Sequence, residues 1–255
     1  MCLLSIGGLL VISACSETGA RKDTIRWGAD EAGGAPFEFR DPKDPSKRVG
    51  FEVEISDEIG RRTGKKIEFV QAQWDTLIPA LKRGDFDMAM SGIEITDERK
   101  AEADFTQPYY VYTQQLVVRA EQTSVTTLED LKGRAVGTLA ACAAERVLQN
   151  TPGIEVKSYD DNVRPYDDLA IGRIDGVLLD LCIASYYAKP NTKLRFAGEP
   201  FAPGHYGIAV RKEDVELRRQ IDDALSGMKK DGTLERIYRK WELWNDAQAP
   251  IFKPF

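Results

Sequence analysis

Several residue types are scarce in this chain, and each scarcity excludes a class of function. The 255 residues include one histidine, His205, so a histidine-rich metal site is excluded and a histidine-based relay would have to use that residue. The cysteines at positions 2, 15, 142 and 182 lack CxxC spacing, which argues against a zinc site or a thioredoxin-type motif. The formal net charge is −6 and no basic run occurs, so a nucleic-acid partner is not expected. We expect neither a metal nor a cofactor.

Long apolar runs are also lacking. The run LLSIGGLLVI at residues 3–12 is shorter than the roughly 20 residues that span a bilayer, but it is typical of the apolar region of a signal peptide, although no Lys or Arg precedes it. The following residues 12–15 (ISAC) resemble a bacterial lipobox. This pattern predicts a lipoprotein-type signal peptide over 1–14, acylation of Cys15 and a tether over 15–23. We expect a periplasmic or cell-surface protein whose only membrane contact is its lipid anchor; a buried N-terminal strand or helix is the alternative.

What remains is ordinary for a soluble globular protein: 42% of the residues are hydrophobic and 30% are charged. Strand-like and helix-like segments alternate, which predicts an α/β fold with parallel sheets. The predicted strands are Thr24–Ala29, Ile67–Gln71, Phe86–Met90, Ala135–Leu139, Ile154–Ser158 and Gly176–Leu179. The predicted helices are Val53–Arg62, Thr76–Arg83, Ala143–Gln149, Tyr166–Ile171 and Ile183–Ala188.

A short motif that occurs twice in the sequence predicts two similarly built halves. Residues 81–87 and 169–175 share the form LxxGxxD, and each is followed by an apolar strand. Two further strand-like segments, Gln115–Arg119 and Tyr206–Arg211, fall where the pattern passes between the halves. Two helices divided by Gly232 are predicted near the C-terminus, followed by an unstructured tail.

Seven short motifs, none specific by itself, occur in a fixed order along residues 24–244. They are Gly50–Ile55 (GFEVEI), Trp74–Leu81 (WDTLIPAL), Ile95–Arg99 (ITDER), Asp104–Tyr110 (DFTQPYY), Leu128–Gly133 (LEDLKG), Tyr206–Lys212 (YGIAVRK) and Asp231–Leu234 (DGTL). Together they resemble the polar amino-acid family of solute-binding proteins that serve bacterial ABC transporters. The resemblance implies a type II periplasmic-binding fold, in which two lobes, each a mainly parallel sheet with flanking helices, are joined by two hinge strands and enclose the ligand.

On this resemblance, lobe 1 comprises residues 24–112 and 205–245, lobe 2 comprises 113–204, and 246–255 form a tail. The implied ligand is a free amino acid, the implied partner is an ABC permease in the inner membrane, and the protein is expected to be a monomer without catalytic residues.

An amino acid presents a carboxylate, an ammonium group and a side chain, so its site needs a cation, an anion and a selective pocket. Arg99 lies at a turn after a strand, where a guanidinium can hold a carboxylate through two parallel hydrogen bonds, and the resemblance assigns it the ligand α-carboxylate. Asp180 ends an apolar strand at the carboxyl edge of a predicted parallel sheet, and the resemblance assigns it the ammonium group. The alternatives are a surface arginine and an aspartate that caps the next helix.

Four further residues are candidates for ligand contact, two by resemblance and two by position. Trp74 matches an aromatic that stacks on the ligand side chain, and Asp30 matches an acid that touches the polar end of that side chain. Ser91 and Gly92 follow a strand and would offer backbone groups. The alternatives are core packing for Trp74 and a turn cap for Asp30.

Three segments depart from the family pattern. Residues 31–34 (EAGG) stand where a second aromatic is usual, which puts an aromatic sandwich in doubt. Glu94 stands where the family mostly has Ser or Thr; because it would repel a ligand carboxylate, we expect it to reach the ammonium or a cationic side chain. Residues 139–143 (LAACA), with Cys142, replace a hydroxyl-bearing segment but keep backbone N–H groups that suit a carboxylate.

The charges predict the ligand class. Asp30, Glu94 and Asp180 face a single cation, Arg99, so a zwitterion leaves acids in excess. We therefore expect a cationic or amide amino acid (Lys, Arg, ornithine or Gln) rather than Glu or Asp.

Cys142 and Cys182 each follow a strand, and these two strands are predicted to be neighbours. The sequence is therefore compatible either with a disulfide between the two cysteines or with two buried free thiols.

Two other functions remain open. Cyclohexadienyl dehydratases resemble these binding proteins and need an acid in the cleft, for which Glu94 or Glu145 would serve; His205 is predicted at a lobe junction. A sensing domain once fused to a receptor or permease is the other alternative, because residues 241–246 (WELWND) extend beyond the family's usual end.

Overall fold

The computed structural model describes residues 23–32 and 34–252 of the chain. The predicted signal segment, Cys15 and the predicted tether up to residue 22 lie outside the described residues. Within them, no helix combines the length and the apolar character that crossing a bilayer requires.

Strands and helices alternate along the described chain, as the sequence pattern predicts. The strands are β1 (Thr24–Ala29), β2 (Phe39–Asp41), β3 (Asp44–Val49), β4 (Lys66–Gln71), β5 (Met88–Ala89), β6 (Asp104–Phe105), β7 (Tyr110–Arg119), β8 (Ala135–Leu139), β9 (Glu155–Tyr159), β10 (Gly176–Asp180), β11 (Leu194–Tyr206) and β12 (Ala209–Val210). The helices are α1 (Phe51–Thr63), α2 (Leu77–Arg83), α3 (Asp97–Glu102), α4 (Ala143–Gln149), α5 (Arg164–Ala170), α6 (Leu181–Tyr187), α7 (Val215–Lys230) and α8 (Thr233–Lys240). Segments of 3-10 helix cover Trp74–Thr76, Leu128–Leu131 and Asp246–Phe252.

Two five-stranded sheets form the centres of two lobes in the described residues. The first has the order β4-β1-β5-β12-β6 and the second has the order β11-β7-β10-β8-β9. Each sheet contains three parallel neighbours, β4, β1 and β5 in the first and β9, β8 and β10 in the second, which are extended by two antiparallel strands. The two-lobe α/β prediction is confirmed, with sheets that are mixed rather than mainly parallel.

The repeated LxxGxxD motif forms the same local structure in both lobes. Gly84 and Gly172 follow helices α2 and α5 and adopt left-handed conformations with φ of 83° and 78°, which glycine adopts without steric cost. The backbone N–H of Asp87 then donates to the carbonyl of Arg26, and that of Asp175 donates to the carbonyl of Ala135. Each aspartate thus leads the chain into the next parallel strand of its sheet.

Two long antiparallel strands carry the chain between the lobes. β7 starts beside the first sheet at Tyr110 and runs into the second, and β11 returns to end at Tyr206, directly opposite Tyr110. β7 contains the predicted strand Gln115–Arg119 but begins earlier, at Tyr110, because its lobe-junction end is polar and aromatic rather than aliphatic. The predicted strand Tyr206–Arg211 overlaps β11 only at Tyr206, and the chain beyond it forms the short strand β12 of the first sheet.

The prediction of an unstructured C-terminal tail is wrong for residues 246–252. This segment forms a 3-10 helix, in which Gln248 is fully buried. Its side-chain amide accepts a hydrogen bond from the N–H of Val111 at 3.0 Å and donates to the carbonyl of Val111 at 2.7 Å. Strand β10 pairs with β7 only from Gln114 onward, so these backbone groups have no strand partner on that side. The glutamine amide satisfies them instead.

Candidate ligand-binding site

A cavity lies between the two lobes, where the carboxyl ends of parallel strands approach one another. Residues after β1 and β5 line it from the first lobe, and residues after β8 and at the end of β10 line it from the second. This edge of a parallel sheet is the usual ligand position in α/β folds. The predicted ligand residues that line the cavity are Asp30, Trp74, Ser91, Gly92, Glu94, Cys142 and Asp180.

Asp180 is the N-cap residue of α6 by position, but its side chain makes no capping hydrogen bond. Its carboxylate instead accepts a hydrogen bond of 2.5 Å from the Gln114 amide and another from the Tyr206 hydroxyl. Burial, followed by the negative charge of Glu94, raises the pKa of Asp180 to about 7. The carboxylate is therefore held at the cavity wall, where a cation would stabilise its charged form.

Asp30 extends from the end of β1 and organises the loop that carries Trp74. Its carboxylate accepts hydrogen bonds from the backbone N–H groups of Ala32 at 3.1 Å and Trp74 at 3.0 Å, and from the Gln71 amide at 2.9 Å. It also lines the cavity, so the predicted turn-cap role and the predicted ligand-facing position occur together.

Two aromatic side chains line the cavity. Trp74 also bridges the lobes, because its indole N–H donates to the carbonyl of Ala140 at 3.1 Å. Phe37, which follows the residues that replace the expected second aromatic, is buried and packs against the rings of Phe51 and Tyr206. An aromatic is thus present on this side of the cavity, although it comes from a position later in the loop than residues 31–34, where a second aromatic is usual.

Ser91 and Gly92 are supported from behind by two fully buried glutamates. The Ser91 hydroxyl donates to the Glu38 carboxyl group, and the Gly92 N–H donates to Glu52 at 2.8 Å. Burial raises the pKa of Glu38 well above its usual range and the pKa of Glu52 to about 7. Gly92 has φ of +63°, and a Cβ there would lie 2.7 Å from the Phe37 ring, so both backbone conformation and space require glycine.

The short helix α3 positions Arg99. Thr96 is its N-cap residue, and the Thr96 hydroxyl accepts a hydrogen bond from the Arg99 N–H at 3.2 Å. The Arg99 guanidinium then reaches across to the second lobe and donates to the carbonyl of Ala141 at 3.1 Å. It lies 5.2 Å from the centre of the Trp74 ring.

Glu94 stands between Arg99 and the cavity. Its side chain forms an ion pair with Arg99, and Arg99 also donates to the Glu94 carbonyl at 3.1 Å. The second carboxylate oxygen accepts a hydrogen bond of 2.7 Å from the N–H of Ala143 in the other lobe. Arg99 consequently does not line the cavity. Glu94 lines the cavity while its carboxylate contacts Arg99 and the Ala143 backbone, so its approach to a ligand ammonium group or cationic side chain stays a prediction.

The lining of the cavity is acidic. Its carboxylates are Asp30, Glu94, Asp160, Asp161 and Asp180, and none of the described lining residues is Lys, Arg or His.

Two guanidinium groups outside the lining compensate part of this charge. Arg99 pairs with Glu94, while Arg164 pairs with Asp161 and lies 3.6 Å from Asp160. Asp30 and Asp180 differ, because no ion pair among the described residues neutralises either of them. These two carboxylates are the positions at which the cavity can best accept positive charge.

The disulfide considered between Cys142 and Cys182 is not formed, and both are buried free thiols. The Cys142 thiol donates to the carbonyl of Leu139 at 3.1 Å, whereas the Cys182 sulfur lies 3.7 Å from the Tyr206 hydroxyl. The two strands are neighbours as predicted, but each sulfur packs within its own surroundings. Burial raises the pKa of both thiols, which disfavours the reactive thiolate.

The structure separates the other candidate acid and the histidine from the cavity. Glu145 accepts hydrogen bonds from the Ala141 N–H at 2.7 Å and from the Ser158 hydroxyl, and it does not line the cavity. His205 pairs with Val111 where the two connecting strands meet, and it faces a separate surface groove. Among the described residues, no cluster of His, Cys, Asp and Glu is arranged to hold a metal ion.

Several residues of the site were not predicted from the sequence, among them Phe37, Gln114 and Tyr206 and the lining residues Asp160, Asp161 and Asn162. Gln114 lies in the apolar strand β7, and a buried amide in such a strand indicates a polar partner, here Asp180. Tyr206 belongs to a recognised motif, but only the fold shows that its hydroxyl reaches Asp180.

The comparisons with known proteins agree with this architecture. Residues 25–243 match the bacterial extracellular solute-binding proteins, family 3. The L-cystine-binding protein TcyJ of Escherichia coli is 35% identical over 81% of this chain and 78% of its own length. The lysine/arginine/ornithine-binding periplasmic protein of Escherichia coli is 32% identical over 94% of this chain and 95% of its own length.

A solved structure, an ancestral arginine-binding protein bound to arginine, superposes with a TM-score of 0.81 at 39% identity and covers 86% of this chain and 98% of its own. All three relatives are named as binding proteins, which supports the predicted binding function over the dehydratase alternative. The chain belongs to the bacterial extracellular solute-binding proteins, family 3.

Proposed function

We propose that this protein is the solute-binding component of an ABC transporter and binds a free L-amino acid with a cationic side chain between its two lobes. The observation that carries the proposal is the acidic cavity, in which Asp30 and Asp180 face the interior without a cationic partner among the described residues. The relatives named for lysine, arginine and ornithine support the same ligand class.

In this proposal the two carboxylates bind the two cationic groups of the ligand. Asp180 accepts the α-ammonium group, and Asp30 accepts the cationic end of the side chain. Trp74 and Phe37 flank the aliphatic part, where burial of CH₂ groups contributes about 0.8 kcal/mol each. Ser91, Gly92 and Cys142 complete the wall.

A thermal-shift panel tests the ligand class. We expect lysine, arginine and ornithine to raise the melting temperature, because a ligand that binds only the folded state stabilises it by mass action. Glutamine, whose amide carries no charge, should give a smaller shift, and glutamate and aspartate should give none. A largest shift with an acidic amino acid would overturn the proposal.

We also propose an extracytoplasmic location with a lipid anchor at Cys15. The apolar run at residues 3–12 and the ISAC sequence support it. Mass spectrometry of the mature protein from a membrane fraction should show an acylated N-terminal Cys15, and Cys15→Ser should leave the protein in the soluble fraction. An unprocessed N-terminus in the membrane fraction would contradict this.

The proposed partner is an inner-membrane permease that recognises the closed lobes, and the protein acts as a monomer. Light scattering of the processed protein should give a particle somewhat below the 28.5 kDa of the full 255-residue chain, because the proposed signal segment is removed. A stable dimer would contradict the monomer proposal alone.

A further inference from the structure

We infer that Glu38 and Glu52 are positioning residues: they hold one proton between them and engage the proton of the Ser91 hydroxyl, so that Ser91 faces the cavity as a hydrogen-bond acceptor only. The ligand group that suits such an acceptor is the ammonium or guanidinium end of a cationic side chain, whose N–H groups can only donate. The inference rests on the proposed function in one respect, that a cationic amino acid places this end of its side chain beside Asp30.

The first step is the arrangement of the two acids behind the cavity wall. Glu38 and Glu52 are both fully buried, and their carboxyl groups are hydrogen-bonded to one another. An ionised carboxylate can only accept a hydrogen bond, so this contact requires a proton on one of the two groups. The Oε2 atoms of both glutamates receive no N–H or O–H donor from the rest of the described chain, which agrees with a proton held between them.

The second step concerns the other oxygen atom of each acid. Glu52 Oε1 accepts the Gly92 N–H at 2.8 Å and the Tyr109 hydroxyl, and Glu38 Oε1 accepts the Ser91 hydroxyl. With a single proton between the two Oε2 atoms, every oxygen of the pair has a partner. Without that proton, two negative charges would face each other in a buried site.

The surroundings of the pair favour retention of the proton. The titratable groups that act on it are a carboxylate at the end of β1, a phenol before β7, a thiol in α6 and a phenol in α8, namely Asp30, Tyr109, Cys182 and Tyr238. None of these four groups supplies a positive charge. Burial raises the pKa of Glu52 to about 7 and the pKa of Glu38 well above its usual range, so the pair as a unit holds one proton at pH 8.

The consequence of this arrangement falls on Ser91. A hydroxyl has one proton and two lone pairs; here the proton is donated to Glu38, and one lone pair accepts the Asp30 N–H at 3.3 Å. The remaining lone pair belongs to a side chain that lines the cavity. A free hydroxyl could turn to donate or to accept, but the acid pair fixes its direction. A side-chain carboxylate of a ligand therefore finds no donor at Ser91.

Infrared spectroscopy tests the shared proton without any ligand. At pH 8 we expect the C=O band of a protonated carboxylic acid in the wild-type protein, and we expect the double variant Glu38→Gln/Glu52→Gln to lack it. Glu58→Gln is the matched control, because Glu58 also lies on α1 and accepts from Arg61 at 2.9 Å outside the cavity lining; it should keep the band. A wild-type protein without this band at pH 8, or a double variant that keeps it, would overturn the inference.

Calorimetric titration at pH 8 tests the acceptor role of Ser91. Lysine and its Nε-trimethyl derivative carry the same charges, but only lysine has N–H donors at the end of its side chain. Ser91→Ala should weaken lysine binding about tenfold and change trimethyl-lysine binding by less than about twofold, because only the lysine complex loses a hydrogen bond. If the variant weakens both ligands equally, or neither, the acceptor role is wrong. If the wild type binds no cationic amino acid, the proposed function fails, whereas the infrared result decides the acid pair independently.

Two variants of Glu38 test its action through Ser91. Glu38→Leu removes the group that accepts the Ser91 proton, so we expect about tenfold weaker lysine binding and little change for trimethyl-lysine. Glu38→Gln offers an amide oxygen to Ser91 and an amide N–H to Glu52, and it should restore the lysine affinity to within about twofold of the wild type. A purely structural role of Glu38 predicts the same loss for both ligands, and that result would contradict the assignment.

Discussion

Replacing Asp180 by asparagine should separate ligand binding from stability. The side chain is 8% exposed, and burial raises its pKa from 3.8 to about 7. Because the folded state holds the proton more tightly than the unfolded state, the stability from this group is complete below about pH 4 and is lost as the pH rises to about 7. A difference of about three pKa units corresponds to about 4 kcal/mol of unfolding free energy.

Asp180→Asn has nearly the same shape and no charge to bury, and its amide can still accept from Gln114. At pH 8 we expect the variant to be more stable than the wild type by up to about 4 kcal/mol, with a smaller difference at pH 5. Ligand binding should weaken at least about 30-fold, because truncating one member of a buried charge pair costs about 2–5 kcal/mol.

Urea unfolding at pH 5 and pH 8, with calorimetric titration of a cationic ligand, measures both effects. The matched control is Asp168→Asn in the same lobe, whose carboxylate accepts a hydrogen bond of 2.9 Å from Tyr159 and pairs with Arg173 outside the cavity. The control should keep wild-type affinity. A variant at Asp180 that binds like the wild type, or that is less stable at pH 8, would refute the reasoning.

Three further predictions concern other residues. Trp74→Ala should weaken binding about tenfold in calorimetry, because it removes an aromatic wall and the inter-lobe hydrogen bond to Ala140; unchanged affinity would show that the indole contacts no ligand. Gln248→Ala should lower the unfolding free energy by about 2 kcal/mol in urea, because it leaves two buried backbone groups of β7 unpaired, and no loss would contradict their pairing. Cys142 and Cys182 should resist alkylation in the folded protein and both react after unfolding without reductant, as peptide mass spectrometry can show; a persistent link would contradict the free thiols.

The alternation of apolar segments predicted most of the fold because short strands alternate with helices of apolar spacing, and the central strands β1, β8 and β10 are mostly buried. Strand Thr24–Ala29, strand Ala135–Leu139 and helix Ala143–Gln149 have the predicted bounds. The hairpin of β2 and β3 was not predicted, since its polar sequence lacks alternation.

The site was predictable where a residue's place follows from a strand end, as for Asp30 and Asp180. The partners of these residues were not, because they depend on packing between distant segments. Gln114 and Tyr206 reach Asp180 only after β7 and β11 cross between the lobes. The contacts of Glu94 likewise join two lobes, so no local pattern could have shown that this carboxylate meets Arg99 and a backbone N–H of the other lobe.

The central claim is that the cavity is built for positive charge. Isothermal titration calorimetry of the wild-type protein with L-arginine and L-glutamate at pH 8, where Asp180 is largely ionised, tests it most directly. We predict measurable binding of arginine and an affinity for glutamate at least about 100-fold weaker, since an anionic side chain would face the unneutralised Asp30. Glutamate binding as tightly as arginine would contradict the account.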